Sequence, residues 1–296
     1  MCDTCGCYTE TPKPPPRGRS EGQWALGYTE PLNPAETAKR EDDGLNVRAR
    51  IENLYSKQGF RTIWPSDLRN RFRWHGLYTQ RPETDGYFML RIRIPGGMLT
   101  SEQTDTIGII SERYGRGLAD VTDRQNVQLH WIRIEDVPAI WERLEAVGLS
   151  TTEACGDTPR NILGCPLAGI DASEIVDASA VLTEANARLA GNPEFSNLPR
   201  KFKISITGCA HQCAQHEIND IGLVGARAPD GRPGFDLWVG GGLSTNPMFA
   251  KRLGAFVAPD QVVEVVLGIT AVFRDWGYRR ARNRARLKFL VADWGP

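Results

Sequence analysis

The chain has no long apolar run, no leader-like apolar core and no net charge. No stretch approaches the ~18 apolar residues a membrane-spanning helix requires. The first residues lack the apolar core of a secretory signal. Lys plus Arg number 36 against 36 Asp plus Glu, so nothing in the overall charge favours nucleic acid or a membrane surface. These absences lead to the expectation of a cytoplasmic protein whose thiols stay reduced. The composition is that of a soluble globular protein, 41% hydrophobic and 24% charged, and 296 residues suit one large domain or two ordinary ones.

What is present is unevenly placed. The seven cysteines fall in two groups: Cys2, Cys5 and Cys7 in MCDTCGC, and Cys155, Cys165, Cys209 and Cys213 in the body. In a reducing compartment such grouping points to metal or redox chemistry rather than disulfides. Residues 1–20 read as a disordered Cys/Pro-rich tail. The CxxCxC resembles the N-terminal nickel-binding motif of hydrogenase-maturation GTPases. No GxxxxGK[ST] phosphate loop follows it, and three soft ligands fall short of a closed zinc site.

The pattern of the body predicts α+β. A helix is expected over 36–59, from the near-helical spacing of Leu45, Val47, Ile51, Leu54 and Tyr55, with Gly59 as its stop. Strands are expected at 71–79 and 86–97; in the second, Arg91 and Arg93 share one face and Leu90, Ile92 and Ile94 the other. A helix over 101–116, capped at Ser101, then a strand in VQLHWIRI and a helix over 137–147 complete a ferredoxin-like half domain. Residues 151–169 read as a loop, 172–189 as a helix, and ISIT, IGLVG and FDLWVGGGLS as strands. Helices are expected from about Pro247 and over 260–277. The divisions follow: 1–20 tail, 21–150 N-terminal segment and half domain, 151–296 a second α/β domain.

The organising stretch is LPRKFKISITGCAHQC. Lys201 and Lys203 stand two apart, on one face if the segment is extended. They are either a solvated basic edge or one wall of an anion site. Arg91, Arg124, Arg160 and Arg200 punctuate other element ends, and guanidinium groups bind oxyanions through paired donors. Gly240–Gly242 offers either a tight turn or backbone N–H groups close to an anion. Tyr278–Lys288, YRRARNRARLK, is a basic run without an acid: a solvated helix, or a docking face for an acidic partner or for ligand carboxylates.

The blocks EGQWALG, RFRWHGLYTQ, MLRIRIPGG, DRQNVQLHW, TTEACGDTPRN, LPRKFK, HEINDIGLVG, LWVGGGLSTNP and FRDWGYRR, in this order, resemble the N-terminal half of ferredoxin-type assimilatory sulfite and nitrite reductases. The resemblance runs from about Glu21 to Gly295. It implies an enzyme of the sirohaem and [4Fe–4S] class, with ferredoxin as electron donor and sulfite or nitrite as substrate. It implies that Arg91, Arg160, Lys201 and Lys203 hold the oxyanion. Arg124, Gln128, Arg200, Gly241 and Arg286 would contact the sirohaem. Family nitrite reductases tend to carry Asn at the position of Lys203, so RKFK leans toward sulfite.

In that family the cluster ligands CxxxxxC and CxxxC lie in the C-terminal half. Either a separate polypeptide supplies the cluster here, or Cys155, Cys165, Cys209 and Cys213 have taken over, Cys209 and Cys213 forming a CxxxC. A zinc site from Cys209, Cys213, His211 and His216 is a further option. A non-catalytic sirohaem- or metal-binding protein is the alternative reading, and a cobalamin-pathway relative is opposed by the intact RKFK.

Overall fold

A computed structural model describes residues 30–211 and 213–296. The expectations on Cys2, Cys5 and Cys7 lie outside them. No helix among the described residues is long and apolar enough to cross a membrane.

Two four-stranded sheets, each with its own apolar core, make up the molecule. The chain enters through α1 (Pro34–Glu41), capped by Asn33, whose Oδ1 accepts from Ala35 N at 3.0 Å. The predicted helix over 36–59 is broken after α1. Asp43 accepts from Leu45 N, and Gly44 lets the Trp74 ring pack so closely that a Cβ would lie 2.2 Å from it. Helix resumes in α2 (Val47–Arg50), runs on as a π-helical turn, Ile51–Tyr55, and ends in α3 (Ser56–Gln58) at Gly59, as anticipated. A short α4 (Pro65–Arg69) follows.

RFRWHGLYT is not one strand. Arg71–His75 is a 3-10 turn, and only β1 (Leu77–Thr79) is extended. Arg71 is buried and donates to Asp67 at 2.8 Å and to Ala38 O at 2.7 Å, which curls the segment inward. Gly76 turns it into the strand with φ 76°, and a Cβ there would meet Arg91 O at 2.6 Å.

The half domain then follows the expected order. β2 (Tyr87–Ile92) buries Phe88, Leu90 and Ile92. α5 (Ser101–Tyr114) is capped one residue earlier than expected, by Thr100 in a reciprocal box with Gln103. β3 (Ala119–Val121), β4 (Val127–Arg133) and α6 (Val137–Ala146) complete it. The sheet is antiparallel in order β1-β2-β4-β3. Ile107 and Ile110 of α5, and Ile140, Trp141 and Leu144 of α6, close the core against one face. The other face carries Arg91 opposite Gln128.

Residues 151–178 contain no helix or strand, but they are not loose. Bridges Pro159↔Phe202 and Leu163↔Ser205 lay this segment parallel to β5 (Ile204–Thr207). The helix expected from 172 starts later, as α7 (Ser179–Leu189), because Ile175 N and Val176 N both donate to Gly208 O. The second sheet runs β5-β6-β7-β8, with β6 (Ile221–Arg227) parallel to β5, and β7 (Pro233–Val239) and β8 (Lys251–Val257) antiparallel. The helix expected from Pro247 is therefore wrong. Met248 bridges Gly242, and the chain continues as an edge strand whose outer residues are exposed. α8 (Val262–Trp276) and α9 (Leu287–Trp294) cover this sheet together with α7.

Candidate anion and cofactor site

The site forms where the outer face of the first sheet meets segment 153–160 and the entry to β5. Phe202 anchors that entry: it is fully buried and stacks on Phe273, ring centroids 5.2 Å apart. Extended backbone alternates its side chains, so Lys201 and Lys203 emerge together on the opposite side. Neither ammonium has a hydrogen-bond or ion-pair partner among the described residues. Both are partly buried, and each pKa is pushed down to about 8. For Lys201 the cause is burial, then Arg160 and Lys203; for Lys203 it is burial, then Arg124 and Arg286.

The surrounding cations are fixed by protein acceptors. Arg91 reaches across the sheet, with Nε donating to Gln128 Oε1 at 3.2 Å and Nη1 to Cys155 Sγ at 3.2 Å. Gln128 thus orients Arg91. Arg160 is buried, its Nε and Nη2 on Gly156 O at 3.0 and 2.7 Å. Arg124, on the turn between β3 and β4, donates to Asn219 Oδ1 at 2.9 Å and Asn161 O at 2.8 Å. Its Nε is buried without a partner, and burial, with Arg160 next, lowers its pKa to about 9. Arg286 is gripped by Asp220 at 2.6 and 3.2 Å, and the same carboxylate accepts from Lys203 N at 2.7 Å.

Two openings reach Lys201, Arg160 and Arg286. The larger has an empty volume of about 820 Å³, open solvent included, and is lined by Arg200, Lys201, Arg282, Arg286 and Lys288 among others. The smaller, about 310 Å³, is lined by Arg73, Trp74, Tyr78, Asp157, Arg160, Arg200 and Arg282. Asp157, in the midst of CGDTPRN, was not singled out by the sequence reading, yet it gathers Lys39, Arg200 and Arg282 at 3.5, 3.3 and 2.6 Å. These cations outweigh its burial and hold it below the usual carboxylate range. Tyr78 and Arg73, also unforeseen, stack together at 5.4 Å beside Cys155. Alternation alone could have flagged Arg73; nothing local marks Asp157 as the acid the basic run would find.

Three expectations are corrected here. The Gly240–Gly242 amides do not point to a ligand: they donate to Asp220 O, Asn219 O and Met248 O, each at 2.9 Å. A Cβ at Gly241 would lie 2.2 Å from Glu217 O, so that glycine serves backbone packing. The basic run Tyr278–Lys288 is not a solvated helix, because Arg279, Arg282 and Arg286 turn inward to Glu36, Asp157 and Asp220. The four body cysteines do not assemble into a ligand set. Cys155 sits with Arg91 and Tyr78, while Cys165 faces Cys209 and Cys213. Among the described residues no group of three or more His, Cys, Asp or Glu side chains is arranged to hold a metal ion. His216 is likewise buried against Trp238, 4.8 Å between rings, so the zinc option fails.

Judged by these residues, a polyanionic group fits: neither ammonium has an ion-pair partner among the described residues, and Arg124 Nε lacks any acceptor. A [4Fe–4S] cluster held by this chain's own body cysteines does not fit.

Residues 155–296 match the nitrite and sulphite reductase 4Fe-4S domain, and residues 80–147 the nitrite/sulfite reductase ferredoxin-like half domain. A sulfite reductase [ferredoxin] of Mycobacterium tuberculosis is 53% identical over 95% of this chain and 53% of its own length. An assimilatory ferredoxin-dependent nitrite reductase of Haloferax mediterranei is 43% identical over 85% of this chain and 46% of its own. The solved structure of Mycobacterium tuberculosis NirA protein superposes with a TM-score of 0.86 at 52% identity, over 94% of this chain and 53% of that one. The chain thus spans about half the length of the curated relatives it matches. On the two matched domains, and on fold and sequence across nearly the whole chain, it belongs to the nitrite and sulphite reductase family.

Proposed function

We propose that this chain forms the oxyanion- and sirohaem-binding half of a ferredoxin-dependent reductase that converts sulfite to sulfide. The observation that carries the reading is the pair Lys201 and Lys203, held partly buried beside Arg124, Arg160 and Arg286, with no ion pair among the described residues and with Asp220 and Asp123 too weak to offset the neighbouring cations at Lys203. Such a pair is costly unless an anion completes it. Arg91 and Arg160 supply planar donors for substrate oxygens, and the lysines supply charge and protons. With pKa values near 8 they are mostly protonated at neutral pH, yet yield a proton more readily than an ordinary lysine. Cleaving three S–O bonds with six electrons consumes protons as each oxygen leaves as water, which this wall is placed to deliver. Arg124, Arg200 and Arg286 would hold the carboxylates of sirohaem, which supplies the multi-electron chemistry when bound. Nitrite reduction to ammonia is the neighbouring activity of the same site.

Cys155 stands apart from Cys165, Cys209 and Cys213, which supports a [4Fe–4S] cluster supplied by other residues, in a C-terminal-half polypeptide or segment. The same observation favours a second reading, a sirohaem-binding protein without reductase activity. Anaerobic purification from sirohaem-producing cells, with iron, acid-labile sulfide and absorption analysis, tests both. Sirohaem bands that shift with sulfite, no acid-labile sulfide, and sulfite-dependent oxidation of reduced ferredoxin once a C-terminal half is added are expected. Sirohaem retention without that activity supports the second reading. Failure to retain the tetrapyrrole overturns both.

A further inference from the structure

We propose that Arg93 is the positioning residue of the anion site: its buried guanidinium clasps both ends of segment 153–160 and thereby sets where Arg160 stands. The inference rests on the anion-site reading above. Arg93 lies two residues beyond Arg91 and is only 3% exposed. No carboxylate stands within ion-pair distance of it among the described residues. Its donors go to backbone and amide oxygens instead. Nη1 bonds Pro159 O at 2.9 Å and Glu153 O at 3.3 Å, and Nη2 bonds Arg160 O at 3.3 Å. Nε bonds Asn186 Oδ1 on α7 at 2.8 Å. One planar group therefore ties the first residue of the segment to the last, and both to a helix of the second core.

The segment needs such a tie. Glu153 is a non-glycine residue at φ 53° and Gly156 sits at φ 93°, and left-handed non-glycine backbone persists only where the surroundings over-determine it. Arg160 takes its aim from the same segment, since its guanidinium bonds Gly156 O and, at 3.5 Å, Ala154 O. Substrate contact belongs to Arg160; Arg93 acts through it. Lysine cannot replace Arg93, because a single ammonium does not span three carbonyls in a planar fork.

The test compares R93K and R93A with the wild-type chain, using sulfite as the probe for calorimetric titration and the hydrogen-exchange protection of Arg160 Nε–H by NMR as an independent readout. R93K keeps the charge and covers the case in which R93A does not fold. The clasp predicts that R93K lowers sulfite affinity about tenfold, about 1.4 kcal/mol, and that Arg160 Nε–H loses protection. Millimolar guanidinium restores both in folded R93A. Wild-type affinity and protection in R93K overturn the clasp. So does an affinity loss with Arg160 protection unchanged, which means Arg93 reaches the anion by a route other than Arg160, and so does folded R93A that guanidinium does not rescue. Should the wild-type chain bind no sulfite, the anion-site reading falls, and Arg160 protection alone still decides: lost in R93K, it supports the clasp; kept, it overturns it.

Discussion

Two clusters of cations lie side by side in this molecule, and they are built on opposite principles. Around Asp157, Lys39, Arg200 and Arg282 converge on one buried carboxylate, and Lys39 also meets Glu36. Around the entry to β5, Lys201 and Lys203 share a face where neither ammonium has an ion-pair partner among the described residues, and Asp220, the nearby acid, is already gripped by Arg286. In the first cluster the charge is cancelled within the fold, and the arginines join α1, segment 153–160 and the basic run before α9. In the second the charge is left over, and burial beside other cations depresses both ammoniums. The comparison separates cations whose charge a carboxylate already meets, Arg200 keeping only the donors other than Nη1 for a ligand, from cations with no ion pair, a distinction that charge counting cannot make because the chain as a whole is neutral.

The sharpest way to break the comparison is to turn the first cluster into the second. D157N removes the buried acid and strands Arg200 and Arg282, and breaking buried ion pairs in this way costs about 3–5 kcal/mol. Urea unfolding should show a loss of that order; a loss below ~1 kcal/mol would mean the cluster is solvated and the comparison false. The converse is K201M with K203M. No bond is lost among the described residues, so unfolding free energy should stay the same or rise. Sulfite affinity should fall by roughly 10- to 150-fold for each lysine, from the loss of a charge-assisted contact worth roughly 1.5–3 kcal/mol. A double variant that unfolds easily but binds sulfite unchanged would assign these lysines to the fold instead.

How much of this was visible in the chain itself depends on the range of the forces involved. α5 and β2 were legible because one face of each is apolar at the period of its element, with Ile107 and Ile110, and Phe88, Leu90 and Ile92, turned inward. β8 was not, since its outer residues remain exposed and only pairing with β7 makes it a strand. Arg71–His75 alternates like a strand but curls, because the Arg71 guanidinium finds Asp67 and Ala38 O. The same division runs through the site. Lys201 and Lys203 announce themselves by alternation around Phe202. Asp157 and Asp220, which decide which arginines are satisfied, meet Arg282 and Arg286 across 125 and 66 positions of sequence. The glycine triplet and the cysteines misled for a related reason: spacing shows what is available to bind, not whether the backbone has already used it.

The pH dependence of the two clusters sharpens the contrast further. A folded lysine with a pKa of about 8, against 10.5 as the ordinary value, binds fewer protons than the unfolded chain between those values. Stability therefore rises with pH from about 8 to about 10.5, and below 8 the fold carries two uncompensated charges. Sulfite affinity runs the other way, falling as the lysines lose their protons above pH 8. Asp157, depressed by its cations, contributes stability at neutral pH that is lost only in strong acid. Thermal unfolding from pH 7 to 10, with and without sulfite, should show the free chain gaining and the sulfite complex losing its advantage. The K201M/K203M chain should lose the slope that begins near pH 8 and keep only the part that sets in from about pH 9, where Arg124 and then Arg93 titrate; an unchanged slope from pH 8 would assign the titration to other groups.

The smallest expected effect concerns choice between anions. Lys203 stands next to Arg124 and Arg286 rather than next to Arg160, so its charge adds to a wall that is already cationic. K203N keeps a hydrogen-bond donor and removes one charge. Sulfite carries more negative charge than nitrite near neutral pH, and the Coulomb difference across a partly solvated contact is modest. The sulfite-to-nitrite affinity ratio should therefore fall by about twofold in K203N, with unfolding free energy unchanged. Competitive titration of the two anions measures it. A ratio that rises would mean Lys203 discriminates by shape rather than charge, and the second cluster would then be a fitted receptor, not simply an excess of charge.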